Sequence, residues 1–263
     1  PSEITKLVMV IFLARYFSAK SVDNVSLQVN RLGILRALVL PFLFVAIPMG
    51  LIIEQPDLGS GAMLLLIFIT MLYLAGVRLK YIFMFLLMII LCLPVLWHFL
   101  RDYQRDRLLV FLNPNIDPLG AGYTVIQSKI AIGSGGFLGK GWLSGTQSQL
   151  RFLPESHTDF IFATFAEEWG FLGSCALLFL YYLLIRQGIA IARRSADNFG
   201  RLLAFGISLM LGIQVFVNIA MNLGLAPVVG LPLPLMSYGG SSMFLTFISL
   251  GILSNINKTR AVF

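Results

Sequence analysis

Leu150 to Ile185 reads LRFLPESHTDFIFATFAEEWGFLGSCALLFLYYLLI, a polar turn that runs directly into a long apolar stretch. A helix that crosses a bilayer needs about 20 consecutive, mostly apolar residues, and the stretch from Phe160 to Ile185 meets that requirement. The turn carries Glu155, His157 and Asp159. An ionisable carboxylate is thereby delivered to the boundary between water and lipid.

Outward from this stretch, similar runs recur at 4–18, 34–53, 59–76, 81–99, 202–223 and 240–257. In hydrocarbon the backbone must satisfy its own hydrogen bonds, and these runs are too long for barrel strands. The predicted fold is an all-α membrane protein: a polytopic bundle with seven transmembrane helices in a single transmembrane domain, 1–263. Composition agrees, since 58% of the 263 residues are hydrophobic and only 12% are charged, about half the usual globular share. The chain begins at Pro1, and its first apolar run is short and already charged, which predicts further helices upstream.

The formal net charge of +7 is read as the Lys/Arg bias of cytoplasmic loops, not as a nucleic-acid surface. Arg15, Lys20, Arg31 and Arg36 flank the first connection, and Arg78 and Lys80 the third. Arg186, Arg193, Arg194 and Arg201 flank the fifth, and Lys258 and Arg260 lie in the tail, with only Asp23 and Asp197 opposing. These connections are therefore expected in the cytoplasm. By alternation, Pro1, the second connection, the long fourth one (100–158) and the sixth (Gly224 to Gly239) lie outside. A connection as long as the fourth is usually functional or disordered. Its apolar stretch Ile126 to Ile132 and its Trp142 predict a structured extracytoplasmic cap.

Cys92 and Cys175 sit inside apolar runs, and His98 and His157 are far apart in sequence, so neither a disulfide framework nor a metal site is suggested. Glu3 and Lys6 share a helical face and can pair. Glu3 reads equally as an acidic first turn behind a capping Ser2, or as a group facing an aqueous cavity. Asp57, before an apolar helix, reads first as an N-cap. The cluster Arg101-Asp102-Tyr103-Gln104-Arg105-Asp106-Arg107 runs against the charge bias. It is either a phosphate grip or an internally paired network with Asp102 and Asp106.

The run Gly133-Ser134-Gly135-Gly136-Phe137-Leu138-Gly139-Lys140-Gly141 fails as a P-loop, because Ser134 and Gly141 stand where the motif needs glycine and Ser or Thr. It reads as a flexible or tightly turned cover with Lys129 and Lys140 available to an anion. Asp159 is either part of a Ser156, Thr158, Asp159 cap on the following helix or a general base. Glu167 and Glu168, about two turns into an apolar helix, are expected to pair inside the bundle. Pro227, Pro232 and Pro234 precede Ser237-Tyr238-Gly239-Gly240, irregular backbone of the kind that lines a cavity and offers Ser237 and Tyr238 to a substrate. Asn218 and Asn222, one turn apart, are expected to bond across helices.

PSEITKL, QPDLGSG, DYQRDRLLVFLNPNIDPLGAGY, QSKIAIGSGGFLGKGW, FLPESHTDFIFATFAEEWGF and PLPLMSYGGSS, taken together, resemble the SEDS family of cell-wall polymerases, its RodA branch more than its FtsW branch. The resemblance covers essentially the whole chain. It implies a ten-helix fold of which this chain holds the last seven, and a multi-pass protein of the bacterial inner membrane. It further implies a peptidoglycan glycosyltransferase that polymerises lipid II at the outer face and works with a class B penicillin-binding protein. The family's essential aspartate falls on Asp159 of the HTDFIF motif, and its Glu and Lys fall on Glu3 and Lys6. Thr5 stands where alanine is usual, Trp169 where leucine is, and Arg151 where relatives are often acidic.

The expected chemistry joins lipid II to a lipid-linked glycan strand, both with their tails among membrane lipids. Asp159 would deprotonate the acceptor hydroxyl. Lys6, Arg105, Arg107, Lys129 or Lys140 would receive the departing diphosphate. A divalent cation, Mg2+ or Mn2+, could share that role, although no ligand set is evident. The rival readings are a lipid II flippase, which should carry charges along a path through the bilayer, and a scaffold for a penicillin-binding protein, which would not need Asp159.

Overall fold

A computed structural model describes residues 2–22, 38–55, 57–113, 117, 120–150 and 152–259. Pro1, Asp23, Arg31, Arg36, Pro56, Arg151, Arg260 and the start of the second predicted segment lie outside the described residues. Among the described residues all regular structure is helical: α1 (Ser2–Val22), α2 (Leu40–Glu54), α3 (Leu58–Leu74), α4 (Leu79–Phe99), α5 (Asp102–Leu112), α6 (Ala121–Ser134), α7 (Thr146–Gln149), α8 (Ile161–Arg194), α9 (Asn198–Asn222) and α10 (Gly240–Thr259). Each of the seven apolar segments is a helix, and the fourth connection contributes three more.

The chain is a polytopic membrane protein. Helices α8 and α9 are long and apolar enough to cross a bilayer. Leu178, Phe179, Leu180, Tyr182 and Leu183 of α8 are exposed, as are Phe83, Leu87, Met88, Ile90 and Leu91 of α4. Apolar surface so continuous would be a liability in water and is ordinary against lipid.

The chain forms two compact units. The first comprises Pro1–Leu96, Ile185–Ile213 and Phe244–Phe263. In it α1, α2 and α3 pack together, and Val10, Leu13 and Ala14 of α1 and Ile67, Phe68 and Met71 of α3 are buried. The rings of Phe42, Phe68 and Phe85 lie 5.1–5.8 Å apart. A Cβ on Gly206 of α9 would lie 2.6 Å from Val10 and 2.8 Å from Met71. Between helices in lipid such close packing replaces the hydrophobic drive available in water. Asp57 is the N-cap of α3, its carboxylate accepting from the Ser60 amide at 2.9 Å, as its position before the apolar run predicts.

The second unit comprises Trp97–Leu184 and Gln214–Met243. Here Arg105 of α5 closes the end of α4, donating to the carbonyls of Trp97 and His98 at 3.1 Å each and pairing with Asp102 at 3.6 Å. Terminal helix carbonyls have no intrahelical partner, and a guanidinium satisfies them while complementing the helix dipole. Of the two readings of the arginine cluster, the internal one accounts for Arg105.

The glycine run is an ordered clamp on a broken helix. Helix α8 is interrupted at Gly170, whose φ of 65° and ψ of −162° are not helical and belong to a region essentially reserved for glycine. The chain from Gly136 to Gly141 fills the break with backbone bonds. The amides of Lys140 and Gly141 donate to the carbonyls of Glu167 and Glu168, and the amides of Phe171 and Leu172 donate to those of Gly136 and Phe137. Gly139, at φ 82°, passes so near that a Cβ there would lie 2.1 Å from the Glu168 carbonyl. The run supplies small residues where two backbones must touch; it is neither a nucleotide loop nor a loose cover.

Candidate functional site

Asp159 lies in the turn that precedes α8, two residues before the helix begins at Ile161, and is half buried. The backbone around it is held unusually firmly. The His157 carbonyl accepts from the Tyr238 amide at 2.8 Å, and the Thr158 carbonyl accepts from the Ser237 hydroxyl at 2.6 Å. The Asp159 carbonyl accepts from the side-chain amides of Asn218 at 3.0 Å and Asn222 at 3.1 Å. Three successive carbonyls thus bond to donors from the segment after α9 and from α9 itself. A Cβ on Gly230 would lie 3.5 Å from Asp159 Oδ2, which puts the carboxylate beside that segment.

Helix α9 orders that segment too. Gln214 donates to the Pro232 carbonyl at 3.0 Å and Asn218 to the Leu231 carbonyl at 2.7 Å. Tyr181 of α8 donates to the Pro234 carbonyl at 2.6 Å. Proline removes backbone donors, and the carbonyls of the irregular chain must find partners at membrane depth. Gln214, Asn218 and Asn222 recur every four residues, so they form one polar stripe on an apolar helix. The two asparagines were legible as helix-bridging groups. Gln214 belonged to the same spacing and was missed, and Tyr181 carried no signal beyond its hydroxyl. Glu155 and Leu235, with φ of 52° and 66°, are left-handed without being glycine, a strain of about 1–2 kcal/mol each. They lie in the two segments that meet at Asp159.

Beside this turn opens a groove of about 620 Å³ lined by His157, Ile161, Met236, Ser237, Tyr238, Gly239, Gly240 and Met243. Its volume falls within the usual range for small-molecule sites. Tyr238 is 83% exposed. Ser237 is engaged elsewhere, since its oxygen also accepts from the Leu233 amide at 2.7 Å.

The predicted cations separate by environment. Lys140 bonds Glu167 Oε1 at 2.7 Å. Thr146, the Gln147 amide and Ser134 also donate to that carboxylate, at 3.1, 3.2 and 3.4 Å, and it is 0% exposed. The expectation that Glu167 pairs internally therefore holds, and its partner is the lysine expected to serve an anion. Glu168 is half buried. Arg107 and Lys129 are exposed. Arg107 lines a narrow slit with Val125, Gly224 and Val228, and Lys129 Nζ would meet a Cβ on Gly224 at 2.6 Å. Glu3 and Lys6 belong to the first unit, where they pair directly, Lys6 being buried. Among the described residues no group of three or more His, Cys, Asp or Glu could hold a metal ion.

Fold and site together describe a helical, polytopic membrane protein in which an aspartate sits on a firmly bonded turn whose His157 lines an open groove. The family model for FtsW, RodA and SpoVE, described as cell cycle protein, matches residues 1–261, and the chain belongs to this family. Its relatives include the peptidoglycan glycosyltransferase MrdB of Escherichia coli (strain K12), 48% identical over 261 residues that make up 99% of this chain and 68% of that protein. The probable peptidoglycan glycosyltransferase FtsW of Geobacter sulfurreducens (strain DL-1 / KN400) is 40% identical, over 98% of this chain and 66% of its own length. Among solved structures, a chain from work on the structural coordination of polymerization and crosslinking by a peptidoglycan synthase complex matches with a TM-score of 0.78 and 35% identity. The match covers 100% of this chain and 71% of that one. The crystal structure of the rod shape determining protein RodA of Thermus thermophilus matches with a TM-score of 0.65 and 29% identity, over 99% of this chain and 66% of that one.

Proposed function

We propose that this chain is a peptidoglycan glycosyltransferase that polymerises lipid II at the outer face of the bacterial inner membrane, with Asp159 as general base. One relative named peptidoglycan glycosyltransferase and another named probable peptidoglycan glycosyltransferase support the reaction class. The observation that carries the role of Asp159 is its backbone: the carbonyls of His157, Thr158 and Asp159 are each bonded from elsewhere, beside an open groove. Preorganisation of that kind is what a base needs, since it must sit within about 3.2 Å of the proton it removes or reach it through one water.

In the step, the acceptor 4-hydroxyl gives its proton to the Asp159 carboxylate as its oxygen bonds the donor anomeric carbon. The bond from that carbon to the diphosphate breaks, configuration inverts, and undecaprenyl pyrophosphate leaves. Lys129 and Arg107 are the cations in the second unit best suited to receive it: both are exposed, and Arg107 commits one nitrogen to the Val228 carbonyl at 3.4 Å, whereas Arg105 is held by two carbonyls and Lys140 by Glu167. The alternating charge bias of the connections supports an outward-facing reaction centre. A class B penicillin-binding protein is the proposed partner, supported by the likeness to a chain of a peptidoglycan synthase complex.

The test is purified full-length protein given labelled lipid II, wild type beside Asp159→Asn. Strands from wild type and less than about 1% of that rate from the variant are expected. Equal rates would remove Asp159 from the chemistry, and translocation without strands would favour a flippase.

A further inference from the structure

The geometry points to Asn222, assisted by Asn218, as the positioning residue for Asp159, an inference that rests on the base reading above. In a regular helix the carbonyl of residue 159 would accept the amide of residue 163. Here the Asn222 side chain stands between them. Its Nδ2 donates to the Asp159 carbonyl at 3.1 Å, and its Oδ1 accepts from the Ala163 amide at 3.2 Å. The Ala163 amide also reaches the Phe160 carbonyl at 3.1 Å, a tighter i to i+3 bond, so the asparagine amide bridges the position where the helical bond from residue 163 to residue 159 would form. Helix α8 consequently begins at Ile161, although the next bond of the ladder, Thr164 amide to Phe160 carbonyl at 3.3 Å, is already helical.

Asn222 is itself fixed. It is 0% exposed, and its Nδ2 also donates to the Asn218 carbonyl at 2.8 Å. Its own carbonyl accepts from Ser128 of α6 at 2.7 Å. Asn218 supplies the second donor to the Asp159 carbonyl. The orientation of the Asp159 peptide, and with it the direction of the carboxylate, is set by the stripe on α9. Gln214, on the same stripe, bonds only Pro232 among these carbonyls and provides an internal control.

Replacing Asn222 with leucine lets the Asp159 carbonyl take the Ala163 amide directly, extending α8 backward and swinging the carboxylate away. A displacement of about 1 Å at a reacting group lowers the rate roughly 100-fold. A residue that only held the fold would instead lower the folded fraction and leave the rate per folded molecule unchanged.

The experiment uses full-length protein in detergent with labelled lipid II, comparing wild type, Asp159→Asn, Asn222→Leu, Asn218→Leu and Gln214→Leu. Thermal unfolding of each is recorded alongside. Asn222→Leu is expected to lose about 100-fold in kcat per folded molecule, with KM within about threefold. Asn218→Leu, which removes one of two donors, should lose about tenfold and serves if Asn222→Leu does not fold. Gln214→Leu should unfold earlier but retain kcat within about threefold. The assignment is overturned if the asparagine variants keep the wild-type kcat, if the loss lies in KM alone, or if Gln214→Leu loses as much. Asp159→Asn at the wild-type rate would sink the base reading and this assignment with it. An inactive Asp159→Asn beside a fully active Asn222→Leu would sink only the assignment.

Discussion

The nine residues Ile161–Trp169 of α8 lie between two interruptions, and the two are made by different means. At Asp159 side chains interrupt the ladder: the Asn222 amide bridges the position of a helical bond and Asn218 adds a second donor. At Gly170 backbone does so: residues 136–141 bond residues 167–172 directly, and glycines permit the approach. A side-chain break can be removed by one substitution that allows the helix to re-form. A backbone break cannot, because a substituted glycine meets main-chain atoms that have nowhere to go. The first kind holds a reactive group; the second holds the architecture.

Substitutions that separate stability from rate sharpen this contrast, and the largest effects belong to the backbone break. Gly139→Ala sets a Cβ 2.1 Å from the Glu168 carbonyl at a φ of 82°. It should remove more than about 3 kcal/mol of stability and abolish monodisperse protein in detergent. Normal yield with a normal melting temperature would break the comparison.

Lys140→Met comes next. It leaves Glu167 fully buried with Thr146, the Gln147 amide and, at 3.4 Å, Ser134 as its remaining donors, and about 3 kcal/mol should be lost in denaturant titration. Glu167→Gln should be milder, because Lys140 keeps partial access to solvent. Rates per folded molecule should hold in both, in contrast to the asparagine variants.

Tyr181→Phe deprives the Pro234 carbonyl of its partner, for a loss of about 1 kcal/mol, again with the rate retained. Smallest of all, Gly240→Ala adds a Cβ with nothing within 4 Å. It should change melting stability by no more than about 0.5 kcal/mol. A large effect there would mean that the groove beside it closes during folding.

The seven helices were legible because each must present about 20 apolar residues to lipid, a demand that composition satisfies locally. Boundaries were less so. Helix α8 continues to Arg194, past the apolar stretch that ends at Ile185, because backbone bonding propagates beyond the membrane-spanning face. Asp57 was read correctly as a cap, since capping needs only the residue and the next turn. The glycine run was not readable as a clamp: its use depends on carbonyls of Glu167 and Glu168, more than 20 residues on. The sequence leaves Arg105 open between a phosphate grip and internal pairing, and offers Lys140 to an anion, because charge is visible in a sequence and its neutraliser is not.

By itself the sequence determined an all-helical membrane protein, the alternation of its charged connections, and the delivery of Asp159 to the start of a spanning helix. These follow from hydrophobicity, which is a property of each stretch taken alone. Tertiary structure decided which carbonyls the Gln214, Asn218 and Asn222 stripe would hold, which cation would neutralise Glu167, and how the helix would open at Asp159. Those outcomes depend on hydrogen-bond partners distant in the chain, and a polar group in an apolar setting is committed to whichever partner the packing brings within reach.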